Sequence, residues 1–385
     1  MATRYIPNTL PIQTLDQSPS ELLITTLEEL VETCPPKASY NEDDLAGLFL
    51  GYTSLAMLFL QLSEIKPGLT VKSKTLRQWA QEYTSGERKV EPIGKDTGCG
   101  VVQENLCHKA IKACLSGDAA DIQAFLALIE SIPCDDADVA SKDFPSEILY
   151  GRAGSLYILR LVSHWVPSSQ SSLEPHVQRL SAKIMRDNSE GGSRWTWLDR
   201  EYIGAAHGDT GIIVQLVLST PTLAPKLSAQ VKSLIELQLG DGNWPKFANE
   251  AESDLVQWCH GAPGFVICLK TLQPYFPELK DQIDQAIQKG EQVTWDRGLL
   301  RKYPNLCHGT LGNAFALPVG SRRSHFLALS TPAGIAAAHR NDSTVFPDEE
   351  CGTQAGLMFA YLPGAAWAWA VCEKETPTMI TFNDV

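Results

Sequence analysis

The chain has no uninterrupted apolar stretch of bilayer-spanning length, and it has no run of lysine and arginine. The first absence argues against an integral membrane segment, since a spanning helix needs about 20 consecutive apolar residues. The second, together with a formal charge of −13, argues against a nucleic-acid partner, because phosphate recognition needs a concentrated basic surface. Met1-Ala2-Thr3-Arg4 lacks the apolar run of a secretory leader, and Ala2 stands where myristoylation needs glycine. A cytoplasmic location is therefore expected. Long flexible linkers are missing too. Cys34-Pro35-Pro36, Trp165 to Ser172, Asn188 to Ser193 and Asn341-Asp342-Ser343 read as short loops between helical patterns. One domain is expected over residues 40–385, with residues 1–39 as an N-terminal segment packing on it.

What the chain does contain is enough for a core. Hydrophobic residues make up 44% and charged residues 20%, values of an ordinary globular protein. Ten cysteines in a chain without an export signal read as reduced thiols and metal ligands rather than a disulfide framework. Cys107, Cys114 and Cys268 sit in apolar helical surroundings, where a thiol behaves as a small hydrophobe. Cys259 and Cys307 differ by their context.

A Gly-x-x-Gly element punctuates the chain. It occurs at Gly151–Gly154, Gly208–Gly211, Gly261–Gly264 and Gly309–Gly312, with degenerate copies at Gly51–Ser54, Asp96–Gly98 and Tyr361–Gly364, making seven. Each is followed by an apolar helical run such as Ile212–Leu218 and preceded by an amphipathic one such as Lys226–Leu237. Helices apolar all round belong inside and helices with one polar face belong outside, so the alternation predicts an all-α fold. The expected form is an α/α toroid, or barrel, of about seven helical hairpins with inner and outer rings. The glycines are expected to open the inner helices, whose N-terminal N–H groups would then favour thiolates and other anions.

Two of these turns carry a Cys-His-Gly-x-x-Gly cassette, Cys259-His260-Gly261 to Gly264 and Cys307-His308-Gly309 to Gly312, roughly fifty residues apart, the length of one helical repeat. Two thiolates and an imidazole from such turns suit Zn²⁺ with one coordination position left open. Spacing alone does not choose between His260 and His308 as the nitrogen ligand.

These cassettes join longer strings: Leu149-Tyr150-Gly151-Arg152-Ala153-Gly154, Tyr202-Ile203-Gly204-Ala205-Ala206-His207-Gly208, Gly242-Asn243-Trp244-Pro245, Trp258 to Gly264, and Gly298-Leu299-Leu300 leading to Leu306-Cys307-His308-Gly309. Together they resemble the eukaryotic lanthionine synthetase C-like (LanC-like) family nearly end to end. The resemblance implies a seven-repeat α/α barrel holding zinc through Cys259, Cys307 and His308, with His260 lining the site. It also implies glutathione, or another thiol, as one partner and a dehydroamino-acid-containing peptide or protein as the other. Conjugate addition of a thiol to such an acceptor needs a proton donor at the α-carbon and stabilisation of an enolate. His207 is the expected general acid, since imidazole exchanges protons at physiological pH. Arg152 is expected to steady the enolate or bind a carboxylate, unless it forms an ion pair with Glu147 or Asp209. Arg4 and Lys302 resemble glutathione-contacting positions and read equally as solvated surface charges.

The last repeat departs from the family. Leu357-Met358-Phe359-Ala360-Tyr361-Leu362-Pro363-Gly364 stands where relatives read Ser-Leu-Phe-Glu-Gly-x-Ala-Gly, and Phe346-Pro347-Asp348-Glu349-Glu350 replaces an Arg-Thr-Pro-Asp segment. A catalytically inactive glutathione-binding or regulatory module on the same fold is thus the alternative. A carbohydrate-active toroid enzyme is the lesser one, since Glu147, Asp209 and Asp254 show no evident pairing of the kind glycoside cleavage needs.

Overall fold

Leu76, Trp79, Ala80 and Tyr83 are the buried residues of one short helix, and their spacing of three and four places them on a single face. Between Tyr52 and Leu62, by contrast, every residue of a neighbouring helix is buried. The two kinds of helix alternate along the chain. A computed structural model describes residues 3–8, 11–135, 139–191, 194–347 and 355–385. Met1-Ala2, Gly192-Ser193, Asp348-Glu349-Glu350 and Cys351, which figure in the sequence reading, lie outside the described residues.

After α1 (Pro19–Thr33) come α2 (Tyr52–Ile65) and α3 (Leu76–Thr84), α4 (Glu104–Ser116) and α5 (Ala119–Glu130), and α6 (Arg152–Trp165) and α7 (Gln170–Gly191). The second half contains α8 (Asp209–Ser219), α9 (Ala224–Glu236), α10 (Ala262–Leu272), α11 (Lys280–Arg297), α12 (Thr310–Ala316), α13 (Ser321–Leu329), α14 (Pro332–Asn341) and α15 (Tyr361–Val371). Strand structure is confined to three two-residue pairings among the described residues, one parallel (Ser39–Tyr40 with Glu87–Arg88) and two antiparallel. The chain is thus mostly helical, and no helix among the described residues is long and apolar enough to cross a membrane.

The apolar helices touch in the order α2, α4, α6, α8, α10, α12, α15, and α15 returns to α2. Against these pack α3, α5, α7, α9, α11, α13 and, on α15, α1 from the N-terminal segment. Parts of two expected loops are helix instead. Gln170–Ser172 and Asn188–Gly191 belong to α7, whose polar residues look like loop composition when read as a string.

The glycine elements have a shared mechanical reason. A Cβ on Gly154, Gly211, Gly264 or Gly312 would fall 2.0, 2.0, 1.9 or 1.9 Å from the carbonyl oxygen of Ile148, Ala205, Trp258 or Leu306, six residues upstream each time. The incoming loop therefore folds back over the first turn of the helix it feeds, which only glycine permits. That fold-back also consumes the helix-start N–H groups. Arg152 N and Ala153 N donate to Pro145 O and Ser146 O, Asp209 N and Thr210 N to Tyr202 O and Ile203 O, and Gly312 N to Asn305 O, at 3.0–3.3 Å. Loop carbonyls thus satisfy these groups at α6, at α8 and at Gly312 of α12, which corrects the expectation that they stand ready for anions there. The degenerate copy Asp96–Gly98 also differs, lying in the loop ahead of α4, whose first turn is capped by the Gln103 side chain on Leu106 N (2.7 Å).

Two outcomes follow from this packing. Gly264→Ala is expected to lose about 3 kcal/mol in a denaturant melt, because a backbone carbonyl must move. Gly240→Ala, with nothing within 4 Å of the added carbon, stays within about 0.5 kcal/mol. His108 on α4 is held against Thr84 O at 2.9 Å, and burial, aided by Arg88, pushes its pKa from 6.5 down to about 4. A depressed folded value means that its stabilising contribution is complete above pH 6.5 and is lost as pH falls through 4. His108→Gln should flatten the stability-versus-pH curve in that window.

Candidate metal centre

Each Cys-His cassette is bolted in place by an asparagine. Asn243 Oδ1 accepts from Ala262 N (2.8 Å) while its amide donates to Ser253 O and Leu255 O; Asn305 Oδ1 accepts from His308 N (2.8 Å). The turns are then laced to their neighbours by main-chain hydrogen bonds: Cys259 N to Cys307 O (3.2 Å), Cys307 N to Met358 O (2.9 Å) and Met358 N to Phe49 O (3.1 Å). On the far side Leu48 N donates to Val101 O and Val101 N to Ile148 O (2.7 and 3.1 Å). Since α10 and α12 also pack directly, the two cassettes face each other.

As a result one ligand atom each from Cys259, Cys307 and His308 lies within 4.8 Å of the other two. Both cysteines are buried and His308 is half-buried. His260, in the same register before its glycine, stays outside this trio, and its buried Nδ1 meets no hydrogen-bond partner. Gln257 Nε2 donates to Cys259 Sγ at 3.1 Å, an outer contact that orients a sulfur ligand. The Cys307 thiol and then His308 hold Cys259 well below the ordinary thiol range, against the opposing effect of burial. Elsewhere burial dominates: Cys99 is pushed up to about 12, Cys372 to about 11, and Cys107, Cys114 and Cys268 are also raised. Those thiols are core residues, as their apolar surroundings imply. No disulfide joins any of the nine described cysteines. Two sulfurs and one imidazole nitrogen within reach of a single ion form a donor set fitted to a borderline-soft divalent metal.

Beside the trio stands a second group. His207 Nδ1 is 2.8 Å from Glu147 Oε2, and the buried Glu147 also accepts from Leu149 N (2.9 Å) and Tyr150 N (2.5 Å). The His207 ring stacks on Trp197 with centroids 4.0 Å apart and planes 8° from parallel, and its centroid lies 6.1 Å from that of His260. Sequence reasoning placed Glu147 as a possible partner of Arg152 and among three unpaired carboxylates, and did not single out Trp197. Glu147 stands four residues before Gly151, yet nothing in its local spacing marks it, because its partner comes from the next repeat.

Arg152 does not join the site. Its guanidinium is fully buried and donates to Phe144 O (2.6 Å), Ser141 O (2.7 Å) and Pro133 O (2.8 Å), with Asp187 3.5 Å away. It ties the loop after α5 to the start of α6, and its ionic partner is Asp187 rather than Glu147 or Asp209. Asp209 pairs with Arg194 (2.9 Å) and Trp195 N (3.2 Å), and Asp254 is exposed. With Glu147 on His207, no facing carboxylate pair arises from these three.

Arg4 and Lys302 are brought to one edge. Ile6 N donates to Leu299 O (2.7 Å) and Arg301 N to Arg4 O (3.1 Å), laying the N-terminal stretch along the segment that leads into Cys307. Both side chains are exposed, and neither makes an ion pair among the described residues. In the altered last repeat, Phe359 sits 5.0 Å from the His308 ring and 5.2 Å from Phe49.

Cobalt(II) is the direct probe of the trio. Wild type is expected to show sulfur-to-cobalt charge-transfer absorption at one equivalent, His260→Ala to keep the band, and Cys307→Ala or His308→Ala to lose or weaken it with at least a tenfold loss of affinity.

Comparison with known proteins places the chain in a family. The profile of the family described as "Lanthionine synthetase C-like protein" matches residues 46–319. The chain is 27% identical over 309 residues to "Glutathione S-transferase LANCL1" of Danio rerio, covering 76% of this chain and 72% of that protein. It is 30% identical over 183 residues to "LanC-like protein GCL1" of Arabidopsis thaliana, covering 44% of this chain and 41% of the relative. With the family match extending over most of the chain and including both cassettes, the protein belongs to the lanthionine synthetase C-like family.

Proposed function

We propose that the chain is a zinc-dependent enzyme that adds a thiol, with glutathione as the favoured one, to dehydroamino acids in peptides or proteins. The observation that carries this reading is the convergence of Cys259, Cys307 and His308 from two separate repeat turns. The return of α15 to α2 supports a closed α/α toroid of seven helix pairs with this site at the end where the inner helices begin. A cytoplasmic setting would keep the ligand thiols reduced.

Zinc bound by these three residues would offer an open position that favours a thiolate near neutral pH. The reaction breaks the thiol S–H bond and the acceptor's Cα=Cβ π bond, forms a bond between the sulfur and the β-carbon, and places a proton on the α-carbon; the proton the thiol gives up balances the one delivered, directly or through solvent, and no group leaves. His207 gives that proton from Nε2, because Glu147 engages Nδ1. Gln257 steadies the Cys259 sulfur, and His260 lines the acceptor side between His207 and the trio. Arg4 and Lys302, exposed at the adjoining edge, bind the carboxylates of glutathione. Arg152 has no catalytic part, since its donors are occupied inside the protein.

The altered last repeat favours a second reading, a thiol-binding module without turnover: Ala360 offers no charge where relatives carry a glutamate. Mass spectrometry separates the two. Metal-loaded protein with glutathione and a dehydroalanine peptide should yield the thioether adduct, and His207→Ala should slow it about 100-fold or more with metal content unchanged. Glutathione binding with no adduct, for this and other thiols, would replace the enzyme reading with the module.

A further inference from the structure

Trp195 and Trp197 are neighbours in sequence with different fates. Trp195 is buried in the core and its indole N–H donates to Ile184 O at 2.7 Å. Trp197 is half-buried, stands outside the core cluster, and spends its ring face on His207. It is presented by a tight turn in which Trp197 N donates to Arg200 O (2.9 Å) and Arg200 N to Trp197 O (3.1 Å). The two central residues, Leu198 and Asp199, have φ of 49° and 58°, a backbone shape normally filled by Asn-Gly. Leu198 is moreover 70% exposed at the tip, so its side chain contributes little to packing. A strained turn of this kind persists where the surroundings require its shape.

We propose that Trp197 is a positioning residue for proton delivery by His207, and that it thereby sets the configuration of the product's α-carbon. The proposal rests on the thiol-addition reading above. The hydrogen bond to Glu147 fixes one point of the imidazole and does not by itself set the rotation of the ring plane. The indole, parallel to within 8° at 4.0 Å, removes that rotation and holds the ring plane. Tyr150 also stacks on the indole of Trp197, at 6.0 Å and 15°. Nε2 is then the ring nitrogen left to act, and it points in one direction. A planar enolate can take its proton on either face, so a donor held in one direction makes one configuration and a loosely held donor makes both.

The test compares wild type, Trp197→Phe and Trp197→Ala, all zinc-loaded, on glutathione and a dehydroalanine peptide, with the product diastereomers separated by chromatography. Wild type should give a single diastereomer. Trp197→Ala should lower kcat about 10- to 100-fold with KM little changed and move the product toward an equal mixture, and Trp197→Phe should restore most of both. In parallel, the ring-proton NMR signals of His207 should carry an upfield ring-current shift that Trp197→Ala removes and Trp197→Phe partly retains. A Trp197→Ala enzyme that keeps wild-type kcat and a single diastereomer, or an unchanged His207 signal, overturns the proposal. Absence of adduct from wild type with the ring-current shift intact would instead overturn the thiol-addition reading and, with it, the stereochemical role. Because Trp197→Phe retains an aromatic ring on the same turn, it reports even where Trp197→Ala folds poorly.

Discussion

The hydrogen bond from Cys259 N–H to Cys307 C=O is the constraint on which the candidate centre depends. It joins two turns that are distant in sequence and fixes how far apart their side chains start. Its net contribution to stability is modest, about 1 kcal/mol for an ordinary backbone pair. Its effect on geometry is larger, because the same lacing continues through Met358 to Phe49 and shares the load among four turns. Glycines make the lacing possible: with any side chain at Gly264 or Gly312 the loop would be lifted off its helix and the cysteines would part.

Three successive turns use one register for different work. His207, His260 and His308 each stand immediately before the first glycine of a Gly-x-x-Gly element. In the turn before α8 the residue ahead of histidine is Ala206, whereas before α10 and α12 it is cysteine. The α8 turn is thereby left with an imidazole and no sulfur, and Glu147 from the preceding repeat engages it. The thiol environments divide in the same way. Partnering pulls Cys259 down while burial, as the main cause, pushes Cys99, Cys107, Cys114 and Cys268 up, so reactivity is concentrated without any change in residue type.

Much of this was legible in the string of residues. Alternating apolar and amphipathic helices follow from periodicity, and the repeated glycines mark where the chain folds back on itself. The cassettes name the sulfurs, while choosing His308 over His260 needed either the family pattern or the coordinates. What could not be read came from contacts between repeats or from faces that look alike in one dimension. Arg152 opens a helix beside the site yet turns its guanidinium into the loop after α5. Glu147 became visible only once His207 was brought beside it. The polar residues of α7 have the composition of a loop, and the satisfied N–H groups at the inner helix starts depend on carbonyls contributed by the fold-back itself.

X-ray absorption at the zinc edge of the purified protein tests the central assignment most directly. Two sulfur scatterers at about 2.3 Å and one imidazole nitrogen at about 2.0 Å, with a light or sulfur donor completing four-coordination, are the expected result. A sphere of oxygen and nitrogen alone, or no bound metal after zinc addition, would contradict it.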